Sequence, residues 1–136
     1  MVGVSQSAWG GRHHFLRWQT PTSFRLWDDA GLSYDSTLGF AEAPGFRCGV
    51  CHPFRTFDLA ARRELNLVER PLIVMDASLQ RHQYMGLSAR KALDVILELR
   101  RATERMSGEF VILWHNNVLT DPIEQDLYRA ALTGRA

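Results

Sequence analysis

Residues 109–115 read Glu-Phe-Val-Ile-Leu-Trp-His and contain the clearest strand signal in the sequence. A short run of consecutive apolar residues is typical of a strand that is buried on both faces. Residues 70–77, RPLIVMDA, have the same character. Between the two runs, residues 89–106 carry apolar side chains at helical spacing, directly after the potential capping residue Ser88. A strand–helix–strand order predicts parallel strands with helices packed outside them.

The remaining sequence continues this alternation. Short strands are predicted within residues 12–18, 32–40 and 65–69, the last at a sheet edge, and residues 41–57 are predicted to be irregular. Two more helices are expected, one opened by Thr20 and Pro21 and one by Asp121-Pro122-Ile123-Glu124. The prediction is one α/β domain over residues 1–136, with about four strands and about three helices. A complete (β/α)₈ barrel typically needs about 250 residues, so the chain is either a small open sheet or part of a barrel.

Composition excludes several classes of protein. Sixteen Lys and Arg residues face fifteen Asp and Glu residues, and the net charge of +1 lacks the basic excess of a nucleic-acid-binding domain. The apolar runs are far shorter than the ~20 residues of a membrane-spanning helix, so no membrane partner is expected. Residues 1–9 do not resemble a signal peptide. With only two cysteines, the sequence therefore predicts a cytoplasmic protein.

Polar side chains follow several of the predicted strands, at the edge where parallel sheets place their chemistry. His115 ends the apolar run and could transfer protons near neutral pH, or it could cap the strand by hydrogen bonding. Asp35 could pair with Arg12 or with His115, and Asp76 occupies a similar position. Either aspartate could instead be a turn residue. We expect Arg12, Asp35 and His115 to converge on one edge of the sheet.

Basic and aromatic side chains near these strand ends could bind a ligand. If residues 12–18 are a strand, Arg12 and His14 share one face and His13 lies on the other. Arg12 and His14 could then bind an anionic group, or they could be a surface-paired arginine and a packed histidine. Trp18 and Trp114 also flank predicted strand ends. They could stack on a sugar or belong to the core.

The sequence Cys48-Gly49-Val50-Cys51-His52 matches both the haem-attachment pattern and the redox C-x-x-C pattern. A redox pair normally opens a helix, whereas Pro53 follows this segment at once. A structural zinc site commonly needs a second cysteine pair, which the sequence does not contain. We expect a reduced pair of loop cysteines. A small haem or thiol protein remains an alternative reading of the chain.

Five segments taken together resemble the polysaccharide deacetylase family. In order along the chain they are residues 11–18 (GRHHFLRW), 30–40 (AGLSYDSTLGF), 45–54 (GFRCGVCHPF), 71–76 (PLIVMD) and 110–116 (FVILWHN). The resemblance implies a distorted (β/α) barrel, the NodB homology domain. It also implies hydrolysis of N-acetyl or O-acetyl groups on sugars with a divalent metal, usually zinc. The expected partner is therefore an acetylated carbohydrate.

The family motifs carry over to individual residues. Leu113-Trp114-His115 matches the family's Leu-x-His motif, which makes His115 the expected general acid. Arg12 matches the arginine of Arg-x-Pro-Tyr, which orients a catalytic aspartate in the family, although the Pro-Tyr pair is replaced here by His14 and Phe15. Asp35 lies in the region that resembles the motif with an acid-tuning aspartate. Trp18, Trp114 and His14 are the expected substrate-binding residues.

Two further family motifs have no counterpart in the sequence. Thr-Phe-Asp-Asp supplies the family's base and one metal ligand, and His-Ser/Thr-x-x-x-His supplies the other two ligands. No residue of this chain is therefore assigned to a metal. We expect the chain to be the C-terminal part of such a barrel, inactive alone, with the N-terminal half or a second copy as its partner. The alternative is a non-catalytic carbohydrate-binding or scaffolding remnant of that fold.

Overall fold

A computed structural model describes Gly3 and residues 5–135 of the chain. The described residues form a mixed α/β protein with six strands and four α-helices. They divide into two compact units, Met1–Leu38 with Pro53–Arg70 and Gly39–His52 with Pro71–Ala136. Within the described part of the chain, no helix has the length and apolar character needed to cross a membrane.

The first unit is built on a four-stranded mixed sheet. Its strands are β1 (Gly10–Gly11), β2 (Tyr34–Asp35), β3 (Phe54–Asp58) and β4 (Arg63–Glu69), in the order β1-β2-β4-β3. The first three strands in this order are parallel, and β3 runs antiparallel to β4. Helix α1 (Thr22–Asp29) packs against the sheet.

Side-chain alternation fixes which face of β4 is buried. Leu65, Leu67 and Glu69 are buried, whereas Glu64 and Asn66 between them are exposed. Successive side chains of a strand point to opposite faces, so Glu69 belongs to the same inward-facing row as the two leucines. This placement brings a carboxyl group into the interior of the unit.

The second unit contains two parallel strands and three helices. Strand β5 (Leu72–Met75) pairs with β6 (Val111–Leu113). Helices α2 (Asp76–Gln80) and α3 (Ala89–Arg105) connect the two strands, and α4 (Pro122–Thr133) packs against α3. The parallel arrangement brings the C-terminal ends of β5 and β6 to the same edge.

The core of the second unit lies between its strands and helices. All four residues of β5 are buried, and Ala92 and Ile96 of α3 pack with Leu127 and Ala131 of α4. Asp121 caps α4 as its sequence predicts, because its carboxylate accepts a hydrogen bond from the Ile123 amide at 2.8 Å. The predicted helix after Ser88 and the predicted buried strand in residues 70–77 are also present.

The predicted strand in residues 12–18 is wrong. The strand ends at Gly11, and His14–Leu16 form a 3₁₀ turn. Phe15 has φ of 60° and Leu16 has φ of 50°, values that no β-strand adopts. Arg12 and His14 therefore do not share a strand face.

Five other local predictions need correction. Residues 41–57 are not wholly irregular, because β3 begins at Phe54. The segment predicted as a sheet edge, residues 65–69, belongs to β4, which lies between β2 and β3 in the interior of the sheet. Strand β6 is half-buried instead of buried on both faces. Thr20 does not cap α1, since its hydroxyl accepts a hydrogen bond from the Trp18 indole, and Pro21 precedes the helix instead of occupying its first turn.

Candidate functional site

An imidazole and a carboxylate meet at the edge of the second unit's sheet. Nδ1 of His115 lies 2.6 Å from Oδ1 of Asp76. The backbone amide of His115 also donates a hydrogen bond to Oδ2 of the same carboxylate, at 3.2 Å. Asp76 therefore holds both the ring and the main chain of His115.

Strand pairing brings these two residues together. Met75 is the last residue of β5 and lies opposite Leu113, the last residue of β6. Asp76 follows Met75 directly, and His115 comes two residues after Leu113. Both residues thus leave the same edge of the sheet, which is where parallel sheets place their chemistry.

The contact with Asp76 determines what the His115 ring can do. A carboxylate accepts hydrogen bonds, so Nδ1 carries the proton in this pair and Nε2 is the basic nitrogen of the neutral ring. The side chain of Asp76 is 3% exposed and that of His115 is 36% exposed. A buried carboxylate that orients a partly exposed imidazole is the arrangement of a general acid or base.

Two more side chains adjoin this pair. Trp114 is half-buried, and its ring centroid lies 5.7 Å from that of Tyr128. Glu124 in the first turn of α4 is buried beside Gln80, Trp114 and Asp76. Burial raises the pKa of Glu124, and the negative charge of Asp76 raises it further. Sequence reasoning assigned Glu124 only to a helix cap and missed its position behind the imidazole–carboxylate pair.

Arg12 belongs to a different cluster, in the first unit. Its Nε donates to the Ser36 carbonyl at 2.6 Å, and its Nη2 donates to the Ser36 hydroxyl at 2.9 Å. The Ser36 hydroxyl in turn donates to the Arg70 carbonyl at 2.8 Å. Burial lowers the pKa of Arg12, and the nearby Asp35 and Glu69 act in the opposite direction. Arg12 thus ties the end of β1 to the segment that follows β2.

Asp35 is completely buried next to Glu69. Both residues are 0% exposed, and they are register partners on the parallel strands β2 and β4. Asp35 is therefore not positioned to touch a substrate directly. Glu69 was absent from the sequence-based candidates. The alternation of Leu65, Leu67 and Glu69 on β4 is the signal that could have identified it.

The other predicted ligand-binding residues of the first unit, His14 and Trp18, contact residues that are close to them in the sequence. His14 is exposed and stacks on Phe15 with ring centroids 4.2 Å apart. Trp18 packs edge-on against Phe24, with ring centroids 4.1 Å apart, and donates its indole N–H to Thr20. The neighbouring His13 accepts a hydrogen bond at Nε2 from the Trp27 indole. The structure brings Arg12 and Asp35 together, while His115 lies in the second unit beside Asp76. The expected convergence of all three stays a prediction.

The cysteine segment lies at the other end of β6 from His115. The Cys51 carbonyl accepts a hydrogen bond from the Glu109 amide at 2.8 Å, just before the strand begins. Cys51 is buried and packs against Gly108, whereas Cys48 is half-buried and His52 is exposed. Cys48 and Cys51 are not joined to each other by a disulfide. The contacts of Cys51 give it a packing role in the second unit.

The family resemblance implies a divalent metal, which needs about three protein ligands. Across Gly3 and residues 5–135, no group of three or more His, Cys, Asp or Glu side chains is arranged to hold a metal ion. The donor set that a divalent metal requires is therefore not found among these residues. His115 is an imidazole that can accept or donate a proton, and Asp76 orients it.

Comparison with known proteins found no similar protein. No protein-family model, no curated protein and no solved structure matches the chain.

Proposed function

We propose that the chain contributes the proton donor of a polysaccharide-deacetylase-like hydrolase, in which His115 protonates the leaving group of an acetylated sugar. Asp76 is the positioning residue for His115 in this proposal. The observation that carries it is the double contact of the Asp76 carboxylate with the ring and the amide of His115. The proposal includes the family's (β/α) barrel, of which the parallel pair β5 and β6 would be a part.

The proposed reaction uses His115 in its protonated form. Hydrolysis forms a bond from a water oxygen to the acetyl carbon and breaks the bond from that carbon to the sugar nitrogen or oxygen. The residues of the family's Thr-Phe-Asp-Asp and His-Ser/Thr-x-x-x-His motifs, which this sequence does not contain, would activate the water. The amine or alkoxide that departs is a poor leaving group until it gains a proton. Nε2 of His115 would supply that proton while Nδ1 stays hydrogen-bonded to Asp76. The carboxylate stabilises the imidazolium and holds its plane, as in other imidazole–carboxylate pairs.

Trp114 extends the proposed site toward the sugar. It precedes His115, is half-buried and packs near Tyr128. Trp114 adjoins the proton donor in sequence, and the C–H face of a pyranose ring packs well on aromatic side chains. Trp114 is therefore the proposed substrate contact in the second unit.

Binding of an acetylated sugar tests this proposal on the full chain. N-acetyl-chitooligosaccharide is titrated into the ¹⁵N-labelled protein, and the imidazole nitrogens are followed by NMR. The Nε2 resonance of His115 is expected to shift saturably. The exposed His52 ring in the same unit is an internal control that should not move.

Matched variants identify the surface that binds. Trp114→Ala is expected to weaken the shift at His115. Asp94→Asn, which removes an exposed carboxylate paired with Arg90 on α3, should leave it unchanged. A titration that leaves the His115 ring unaffected, or that is insensitive to Trp114→Ala, contradicts the proposed substrate class.

A further inference from the structure

Two carboxyl groups lie side by side in the interior of the first unit. Asp35 and Glu69 are opposite each other in the register of β2 and β4. Neighbouring strands are about 4.8 Å apart, and register partners in a parallel pair present their side chains on the same face. Both residues are 0% exposed. Water therefore does not solvate either carboxyl from outside.

Each carboxyl has one oxygen with a partner and one without. Oδ1 of Asp35 accepts a hydrogen bond from the Thr37 hydroxyl at 2.5 Å, and Oε1 of Glu69 accepts one from the Leu38 amide at 3.1 Å. Oδ2 of Asp35 and Oε2 of Glu69 are buried and have no hydrogen-bond partner among the described residues. A buried polar atom without a hydrogen-bond partner lowers the stability of the folded state. A proton on either oxygen would give both of them a partner.

The charges around the pair do not neutralise two carboxylates. Arg12 is a nearby cation, and its Nε and Nη2 donate their hydrogen bonds to Ser36. His13 also lies near Asp35, and its Nε2 accepts a hydrogen bond from the Trp27 indole. Tyr34, the remaining titratable group that acts on Arg12, lies under the Arg70 guanidinium, 5.6 Å from its ring centroid. One arginine therefore faces two buried acids.

We propose that Asp35 and Glu69 form a buried site for one shared proton, and that the first unit loses stability as the pH rises toward the point at which this proton leaves. The proton sits between Oδ2 of Asp35 and Oε2 of Glu69 and is released to solvent as hydroxide concentration rises. The pair then holds two adjacent negative charges in the interior. This inference does not rest on the proposed hydrolase activity, because its argument uses neither His115 nor Asp76.

The direction of the pH effect follows from proton linkage. Burial, reinforced by the charge of Asp35, raises the pKa of Glu69 from its ordinary value of 4.5 to about 8. Burial raises the pKa of Asp35 as well. Between about pH 4.5 and pH 8 the folded chain binds more protons at this pair than the unfolded chain. Stability therefore falls as the pH rises through that window, by up to about tenfold in the folding equilibrium per pH unit.

Hydrogen exchange in the full chain measures this loss within the first unit. The reporter is the Val68 amide of β4, which donates to the Ser33 carbonyl at 3.0 Å. Its protection factor is expected to fall from about pH 5 to about pH 9 in the wild type, by up to about tenfold per unit. Glu69→Gln keeps the shape of the protonated acid and cannot ionise, so its protection factor should be flatter over the same range.

A matched control lies on the same strand. Glu64 on β4 is exposed and paired with Arg55 at 3.2 Å, so Glu64→Gln should retain the wild-type slope. Equal slopes in the wild type and Glu69→Gln would overturn the proposal.

A second measurement on the wild type decides the question even if Glu69→Gln does not fold. The side-chain carboxyl ¹³C resonances of Asp35 and Glu69 are followed through a pH titration. Because the groups interact, the expected result is two macroscopic steps shared by the pair, with the later step above neutral pH. Two fully ionised carboxyls at about pH 7 would overturn the proposal.

Discussion

Asp76 and His115 meet because the last residues of two parallel strands are in register. Met75 pairs with Leu113, so the residues that follow β5 and β6 emerge at the same edge, and Nδ1 of His115 lies 2.6 Å from Oδ1 of Asp76. The aspartate is supplied by the strand that neighbours the histidine. Asp35, the partner that the sequence also suggested, is instead buried beside Glu69 in the first unit.

Replacing Asp76 by Asn should change the tautomer of His115. In the wild type the carboxylate accepts from Nδ1, so the Nδ1–H tautomer is expected to dominate the neutral ring. An amide can donate as well as accept and carries no charge, so Asp76→Asn should increase the Nε2–H population. The imidazole ¹⁵N chemical shifts at a pH where the ring is neutral measure both populations.

The exposed Asp94→Asn variant serves as the control for this change, since it removes one negative charge without contacting the ring. Identical tautomer populations in the wild type and Asp76→Asn would mean that the carboxylate does not orient His115.

The elements that sequence reasoning located well are those with a strong local pattern. The apolar runs that become β5 and β6, the amphipathic α3 and the capped α4 all signal their structure within a few neighbouring residues. Asp121 shows this most directly, because its capping bond to the Ile123 amide spans only two positions. Local chemistry and final structure agree at these places.

The elements that were missed depend on contacts between distant residues. Phe54–Asp58 has a weak apolar pattern and becomes a strand by pairing with β4. Arg12 leaves the predicted strand because its guanidinium bonds to Ser36, 24 positions away. The pairing of Asp35 with Glu69 likewise depends on the register of β2 and β4. Strand register is a tertiary property, and one sequence does not encode it in a local pattern.

Truncation of Ile96 should strongly destabilise the second unit. Ile96 on α3 is 0% exposed and packs in the core with β5 and α4. Ile96→Ala leaves a cavity and should lower the free energy of unfolding by about 2–5 kcal/mol. Urea denaturation followed by circular dichroism measures the loss.

Leu132→Ala on α4 is the matched control, since Leu132 is 52% exposed and its loss should change stability by less than about 0.5 kcal/mol. Equal effects of the two variants would show that α3 does not pack as described.

Replacement of Gly108 by a larger residue should destabilise the protein. The cause is a steric clash with Cys51 and not backbone strain. A Cβ at this position would collide with the Cys51 sulfur and lie 2.9 Å from the Cys51 carbonyl oxygen. That carbonyl accepts the Glu109 amide, so it cannot move without loss of the hydrogen bond that precedes β6. Gly108→Ala should cost about 1–3 kcal/mol in thermal or urea unfolding.

The double variant Gly108→Ala with Cys51→Ala separates the two contacts. It removes the sulfur but keeps the backbone oxygen, so it should be less destabilised than the sum of the two single variants. If the Gly108→Ala protein is as stable as the wild type, the Cys51 loop does not pack against Gly108 as described.

Acetate release tests the deacetylase proposal itself. The 136-residue chain alone is expected not to deacetylate chitooligosaccharides or acetylated xylan, with or without added zinc. A catalytic zinc site commonly takes three protein ligands and makes its bound water a nucleophile at neutral pH. The proposed proton donor, His115, has nothing to assist without such a nucleophile. Stoichiometric zinc together with acetate release from the chain alone would show that the motifs are assigned to the wrong residues.

A second polypeptide that supplies the base and the metal ligands should reveal the role of His115. The probe is a segment of a polysaccharide deacetylase that carries the Thr-Phe-Asp-Asp and His-Ser/Thr-x-x-x-His motifs, co-expressed with this chain. Zinc-dependent acetate release is expected from the complex. His115→Ala should reduce it by about 100- to 10,000-fold, the usual contribution of a general acid. Asp76→Asn should give a smaller loss with an altered pH profile, because the imidazole remains but is no longer oriented by a carboxylate. Activity that survives His115→Ala unchanged would assign the proton transfer to another residue.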